Sequence, residues 1–215
     1  MEHTQIIEKT TDFVRKTLAN AEGGHDWWHI HRVWINAKRI AEAETDADLL
    51  IVELASLLHD IADSKFHRGD EKVGPATAGE FLREFGLDEP LVVHVQQIIR
   101  HISFKSGFDQ KTFHSKELEI VQDADRLDAI GAIGIARAFS YGGFKGREIY
   151  NPAIAPNLNM TKEEYKNANG PSINHFYEKL LLLKDKMNTA SGKELARQRH
   201  HFMETYLQQF YSECS

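Results

Sequence analysis

The sequence predicts an all-α protein, and three observations carry that expectation. Every short apolar run sits inside a longer 3.6-residue pattern, so no segment reads as a strand. The stretch from Asp48 to Leu58 is apolar on nearly every side, as a helix running through its own core must be. The 215 residues, 41% of them hydrophobic, supply enough apolar material for that core. The expectation is one helical domain over residues 1–215, with at least seven helices and a C-terminal helical extension at about 160–213.

In chain order, Ile6, Ile7, Phe13, Val14 and Leu18 mark a first amphipathic helix over 4–20, broken by Gly23-Gly24. A second helix runs from Trp27 to near Glu44, with Trp27, Ile30, Trp34, Ala37 and Ala41 as its core stripe. His29 and Val33 lie one turn apart at the edge of that stripe, while His25 and His31 are placed to be half-exposed. Thr45 or Asp46 is positioned to cap the buried helix, which ends in His59-Asp60. The following stretch, 62–70, reads as a polar loop bordering those two residues. Residues 71–86 form a helix around Ala76, Ala78, Phe81, Leu82 and Phe85, stopped at Gly86. Asp88 and Pro90 open the next, with Val92, Val95, Ile98, Ile99 and Ile102 inside and His101 near its end.

Residues 103–115 read as a loop. Glu117 to Tyr141 is helical with a break near Gly131 or Gly134. Tyr141 to Asn159 reads as a long loop holding Gly142-Gly143 and Lys145-Gly146-Arg147. Loops beyond about 12–15 residues are commonly functional or disordered, and glycines beside cations suit a phosphate. Two helices close the chain. One holds Phe176, Leu180, Leu183 and Met187, and one after Gly192 holds Leu195, Phe202, Tyr206 and Phe210.

Charge and cysteine usage narrow the function. A net charge of −6 argues against a coat on nucleic acid polymers or an anionic membrane. It leaves room for a small anionic substrate if a metal supplies local positive charge. The single cysteine, Cys214, forbids an intrachain disulfide and fits a reducing, cytoplasmic setting. Met1 to Gln5 lacks the basic and apolar regions of a leader, and no apolar run approaches the ~18 residues of a membrane span. Oligomeric state is not legible.

Buried Asp is rare because an unpaired charge in low dielectric is costly. By itself His59-Asp60 is explained by a buried His–Asp hydrogen bond. A bound cation is the alternative, favoured by the partial negative charge at a helix C-terminus. Asp123, Asp125 and Asp128, flanked by Ile120, Val121, Leu127 and Ile130, cannot all face solvent. His29, His59, Asp60 and an Asp near 125 then make four nitrogen and oxygen ligands on three helices. With no thiol, that set suits a divalent Mn, Fe, Co, Zn or Mg ion rather than a structural zinc.

His29-x-x-Arg32-Val33, then His59-Asp60, then Ala124-Asp125-x-Leu127-Asp128-Ala129 resembles the H…HD…D signature of the HD-domain metal-dependent phosphohydrolases. The separations of about 30 and about 65 residues are normal for that superfamily. The resemblance implies a single HD-domain helical bundle with its metal-binding core at about 25–130. It implies metal ligands at His29, His59, Asp60 and Asp125, the last preferred to Asp123 and Asp128 because the family's Ala-Asp dipeptide falls there. The stretches 25–29, 59–67, 123–129 and Asn174-His175-Phe176-Tyr177-Glu178-Lys179-Leu180 are similar to a small soluble bacterial subgroup. Some of its members are pyrophosphohydrolases on nucleoside or deoxynucleoside triphosphates. Where the cyclic-dinucleotide branch reads His-Asp-Ile-Gly-Lys, this chain reads His59-Asp60-Ile61-Ala62-Asp63, which argues against that activity.

The expected reaction is hydrolysis of a nucleotide at one divalent ion, manganese favoured over Co, Ni, Fe, Zn or Mg. Asp63, Lys65 and His101 are the expected catalytic groups, Asp63 for proton transfer. Lys65, Arg126, Lys145 and Arg147 are the expected phosphate contacts. A phosphatase or phosphodiesterase on another small phosphate ester is the alternative, and a non-catalytic metal-stabilised module is the second.

Overall fold

The computed structural model describes residues 2–19, 26–62, 72–102, 113–161, 164 and 169–214. Among them the helices are α1 (His3–Thr17), α2 (Trp27–Ala41), α3 (Leu49–Leu58), α4 (Val73–Arg83) and α5 (Glu89–His101). There follow α6 (Lys116–Asp128), α7 (Gly131–Phe144), α8 (Asn174–Glu178), a 3₁₀ helix (Leu180–Lys186) and α9 (Ala190–Ser212). No strand occurs among the described residues, and the protein is all-α as expected. None of the described helices is long and apolar enough to cross a membrane. The chain divides into two compact units, 1–125 and 126–215, with the boundary inside α6.

In the first unit α3 packs against α1, α2 and α5, and α4 packs on α5. All eight residues from Ile51 to Leu58 are buried, so α3 is the core helix its composition requires. Its cap is Asp48, not Thr45 or Asp46. The Asp48 carboxylate accepts from the N–H groups of Leu50 at 2.9 Å and Ile51 at 3.3 Å. Asp48 directly precedes the first helical residue, where a carboxylate can reach the free N–H groups. Its own N–H donates to the Glu117 carboxylate at 2.9 Å, joining the starts of α3 and α6.

The core stripe of α2 is Ile30, Val33, Ala37 and Ile40, with His29 and Asn36 buried beside them. Trp27, Trp34 and Ala41 are half-buried at its margin, the reverse of the expected arrangement. Glu53 explains the rotation. This α3 carboxylate is only 4% exposed and needs donors. The Trp34 indole N–H donates to it at 2.7 Å, His3 Nε2 lies 3.0 Å away, and Lys38 Nζ approaches to 3.5 Å. An indole at the margin can bury its ring and still use its N–H; one in the middle of the stripe could not.

The buried face of α4 is small, consisting of Gly74, Pro75, Ala78, Gly79 and Leu82. Phe81 and Phe85 are half-buried instead, and Phe81 stacks on Phe13 with centroids 4.0 Å apart. A Cβ at Gly79 would meet Gln96 Nε2 at 2.2 Å. Glycine there lets Gln96 donate to the Pro75 carbonyl at 2.8 Å. The stop at Gly86 holds, with φ of 66°.

In the second unit the helical break falls at Gly131, whose φ of 74° favours glycine. α7 continues to Phe144, so the first residues of the expected 141–159 loop are helical. Phe176, Leu180, Leu183 and Met187 are buried as expected, but on the short α8, the 3₁₀ helix and the extended residue directly after it rather than on one long helix. α9 begins before Gly192, whose N–H donates to the Thr189 hydroxyl at 2.9 Å. Leu195, Ala196, Met203 and Leu207 form its buried face, while Phe202 is exposed. Tyr206 is half-buried and stacks on Phe176 at 5.9 Å.

Burial, reinforced by the positive charges of Lys179 and Arg147, pushes the His175 imidazole down from 6.5 to about 4. Between those values the unfolded chain holds more protons than the native one, so stability rises with pH across the window. Urea melts at stepped pH are expected to show stability lost as pH falls from 6.5 towards 4, by up to about 3 kcal/mol from this group. The loss is expected to be smaller in His175→Gln. Trp34→Phe is expected to cost about 1–3 kcal/mol in the same melts at pH 7, because Glu53 loses a buried donor.

Candidate metal centre

Three helices converge on one cluster. At the start of α2, the Asp26 side chain caps the helix by accepting from the His29 N–H at 2.9 Å. His29 lies one turn before Val33, on the side of α2 that faces the core, and is 3% exposed. At the end of α3, His59 is the first residue beyond the helix. Its Nδ1 lies 2.8 Å from the carbonyl oxygen of the fully buried Ser56. A carbonyl can only accept, so Nδ1 carries the hydrogen and the neutral ring keeps its lone pair on Nε2. On α6, Asp125 turns its carboxylate to the histidines, with His29 Nε2 3.6 Å from Asp125 Oδ1.

One ligand atom from each of His29, His59 and Asp125 lies within 4.8 Å of the other two. The two imidazole centroids are 5.4 Å apart, with planes at 71°. Two ligands each about 2.1 Å from one tetrahedral ion stand roughly 3.4 Å apart, so the 3.6 Å His29–Asp125 separation suits a shared ion. Two imidazole nitrogens and a carboxylate oxygen, one imidazole already held by a carbonyl, form a donor set that fits a divalent cation. Asp60, half-buried in the turn after His59, lies outside that group of three.

The three carboxylates of α6 take separate surroundings. Asp123 is fully buried, Asp125 faces His29, and the buried Asp128 forms an ion pair with the Arg137 guanidinium. His101 ends α5 half-buried. Its Nδ1–H donates to the Gln97 carbonyl at 2.8 Å, and its own carbonyl accepts from Gln122 Nε2 at 2.9 Å. Asp63 and Lys65 lie outside the described residues. Arg126, Lys145 and Arg147 belong to the second unit. Arg126 donates to the Lys186 carbonyl at 2.6 Å. Lys145 Nζ lies 5.2 Å over the Phe144 ring, and the Arg147 guanidinium 5.5 Å over Tyr141.

Two supporting groups went unassigned in the sequence. Asp26 was recoverable, since an Asp directly before an apolar-periodic run is a capping signal. The Ser56 carbonyl was not, because a backbone acceptor three residues before a histidine has no side-chain signature.

The HD domain family matches residues 27–130, a span that takes in all three clustered residues. The Bacillus subtilis protein YpgQ is 39% identical over 210 residues, covering 97% of this chain and 94% of its own. The chain belongs to the HD domain family. An HD-superfamily hydrolase from Bacillus thuringiensis superposes with a TM-score of 0.79 at 42% identity, covering 99% of this chain and 98% of the other. YpgQ in complex with ADP superposes with a TM-score of 0.76 at 36% identity, covering 99% and 97%. HD domains bind divalent metals, and the clustered His29, His59 and Asp125 supply donors of the right kind.

Asp125→Ala is expected to leave the fold intact, since its side chain is 39% exposed. Asp128→Ala is expected to cost about 3 kcal/mol, because it breaks a buried ion pair. Paired denaturant melts compare the two.

Proposed function

We propose that this chain is a metal-dependent phosphohydrolase that cuts a (deoxy)nucleoside triphosphate into the monophosphate and pyrophosphate. The observation that carries the proposal is the convergence of His29, His59 and Asp125 within 4.8 Å in an HD domain. The complex of YpgQ with ADP supports a nucleotide as the substrate class.

In this proposal His29, His59, Asp60 and Asp125 hold one divalent ion, manganese favoured. Bound there, the ion supplies Lewis-acid polarisation of a phosphate oxygen and lowers the pKa of the attacking water. The Ser56 carbonyl holds His59 with Nε2 as its lone-pair nitrogen. The Asp26 cap fixes the turn that carries His29. Asp63 accepts the proton of the attacking water, with His101 as the second group able to move a proton. Lys65, Arg126, Lys145 and Arg147 offset charge on the phosphate oxygens. Pyrophosphate leaves with little protonation, which suits a site whose proposed acids are so few.

A second reading rests on the same YpgQ complex. ADP is what remains of ATP once its terminal phosphate is removed, so a phosphatase releasing orthophosphate is the competitor. Phosphorus NMR of a reaction with dATP and Mn²⁺ separates the two. The expected products are the monophosphate and pyrophosphate. Diphosphate and orthophosphate as sole products would establish the phosphatase. No turnover of any phosphate ester with Mn²⁺, Co²⁺, Ni²⁺ or Mg²⁺ would sink the hydrolase reading altogether. Elemental analysis checks the ligands independently, with Asp125→Ala expected to be folded and metal-free. Full occupancy in Asp125→Ala beside an empty Asp128→Ala would overturn the assignment.

A further inference from the structure

We infer that Arg199 and Arg137 are positioning residues for Asp125, acting through the last turn of α6. The inference rests on the metal-binding reading above. The last carbonyls of a helix have no intrahelical donors and must find others. At the end of α6 the Arg126 and Leu127 carbonyls accept from the Ala129 and Ile130 N–H groups at 3.1 and 3.3 Å, and two arginines from later helices add charged donors. Arg199 on α9 donates to the Leu127 carbonyl, and Arg137 on α7 reaches the Asp128 carbonyl at 3.5 Å while pairing with the Asp128 carboxylate. Both guanidinium groups sit where a helix C-terminus favours positive charge.

The backbone after α6 is shaped to admit Arg199. A Cβ at Gly131 would stand 3.1 Å from both Arg199 Cβ and Cγ, so glycine there leaves room for the arginine stem. Leu127 and Asp128 are themselves fully or almost fully buried. This turn is therefore held by packing, by an ion pair and by a charged donor on its carbonyl. Asp125 precedes Leu127 by two residues on the same helix, so the direction of its carboxylate is set by the turn these arginines hold. Metal–ligand distances hold to within about 0.2 Å, so Asp125 would serve as a ligand only while this turn is held.

Isothermal titration of Mn²⁺ into the metal-stripped full chain tests this. Arg199→Ala is expected to bind Mn²⁺ about tenfold more weakly than wild type, the scale of a lost supporting contact at a metal site. Arg199→Lys, still able to donate to the Leu127 carbonyl, is expected to recover most of the affinity. Arg197→Ala, on the exposed side of α9 where it pairs with Glu194, is expected to bind as wild type. Circular dichroism confirms that each variant is folded at the titration temperature, so a merely structural loss is not read as lost affinity. Should Arg199→Ala fail to fold, Arg199→Met keeps the apolar stem beside Gly131, removes the donors, and carries the same expected loss. Wild-type binding with unchanged affinity in the folded variant overturns this inference alone. A wild-type chain that takes up no Mn²⁺ overturns the metal-binding reading and this inference with it.

Discussion

The buried helix α3 constrains the rest of the first unit. A helix with one apolar face can slide or roll until a partner stops it, but α3 has eight consecutive buried residues and contacts with α1, α2 and α5. Burying each Leu, Ile or Val contributes roughly 1.5–3 kcal/mol, so any roll exchanges one buried contact for another and gains nothing. Two polar groups on it tie the helix to its surroundings. Glu53 takes donors from α1 and α2, and the Ser56 carbonyl takes the His59 Nδ1–H. The end of the helix is thus fixed in space, and His59 is fixed with it. A histidine held in this way makes a better ligand than one on a surface loop, because less rotational freedom is lost on binding.

On α6 the decisive physics is electrostatic. Three carboxylates within six residues repel one another unless each finds its own counter-charge or solvent. The fold separates them. Asp128 goes to Arg137, Asp123 turns into the core, and Asp125 stays partly exposed beside His29. Of the three, Asp125 combines proximity to the histidines with a fairly open surface, which a metal-ligating carboxylate beside an accessible substrate needs. Asp128, sealed against Arg137, serves the helix end instead.

Much of this was legible in the residues. An all-round apolar stretch could only be a core helix, Gly131 or Gly134 marked the break after α6, and the resemblance to the HD signature pointed to His29, His59, Asp60 and Asp125 as one cluster. The misplaced apolar residues share a cause: the helical period brings a side chain near the core but does not say what else it carries or which neighbour takes the buried place. Trp34 looked like core and serves instead as a donor to Glu53. Phe202 followed the helical period but faces solvent, because Met203 and Leu207 occupy the buried face of α9. Thr45 and Asp46 had capping chemistry, but Asp48 had the position. Ser56 acts through a backbone carbonyl and Arg199 across 72 residues of sequence, so neither role has a local signature. The substrate is less legible still, since one fold hosts many reactions.

Ligand choice nonetheless bears on the class of substrate. On the proposed reading two neutral imidazoles and two carboxylates surround a divalent ion, and the carboxylates cancel the ion's formal charge. Such a centre would polarise one phosphate oxygen but would offer no net charge to the rest of an anionic substrate. The chain around it carries a net −6. Screening at physiological salt, with a Debye length of about 8 Å, softens that repulsion at a distance but not at contact. A monoester brings its charge to the ion directly and needs little else. A triphosphate carries most of its charge beyond the attacked phosphorus and requires cations away from the ion. On the proposed reading a triphosphate is therefore the substrate for which the proposed phosphate contacts, Lys65, Arg126, Lys145 and Arg147, would matter most.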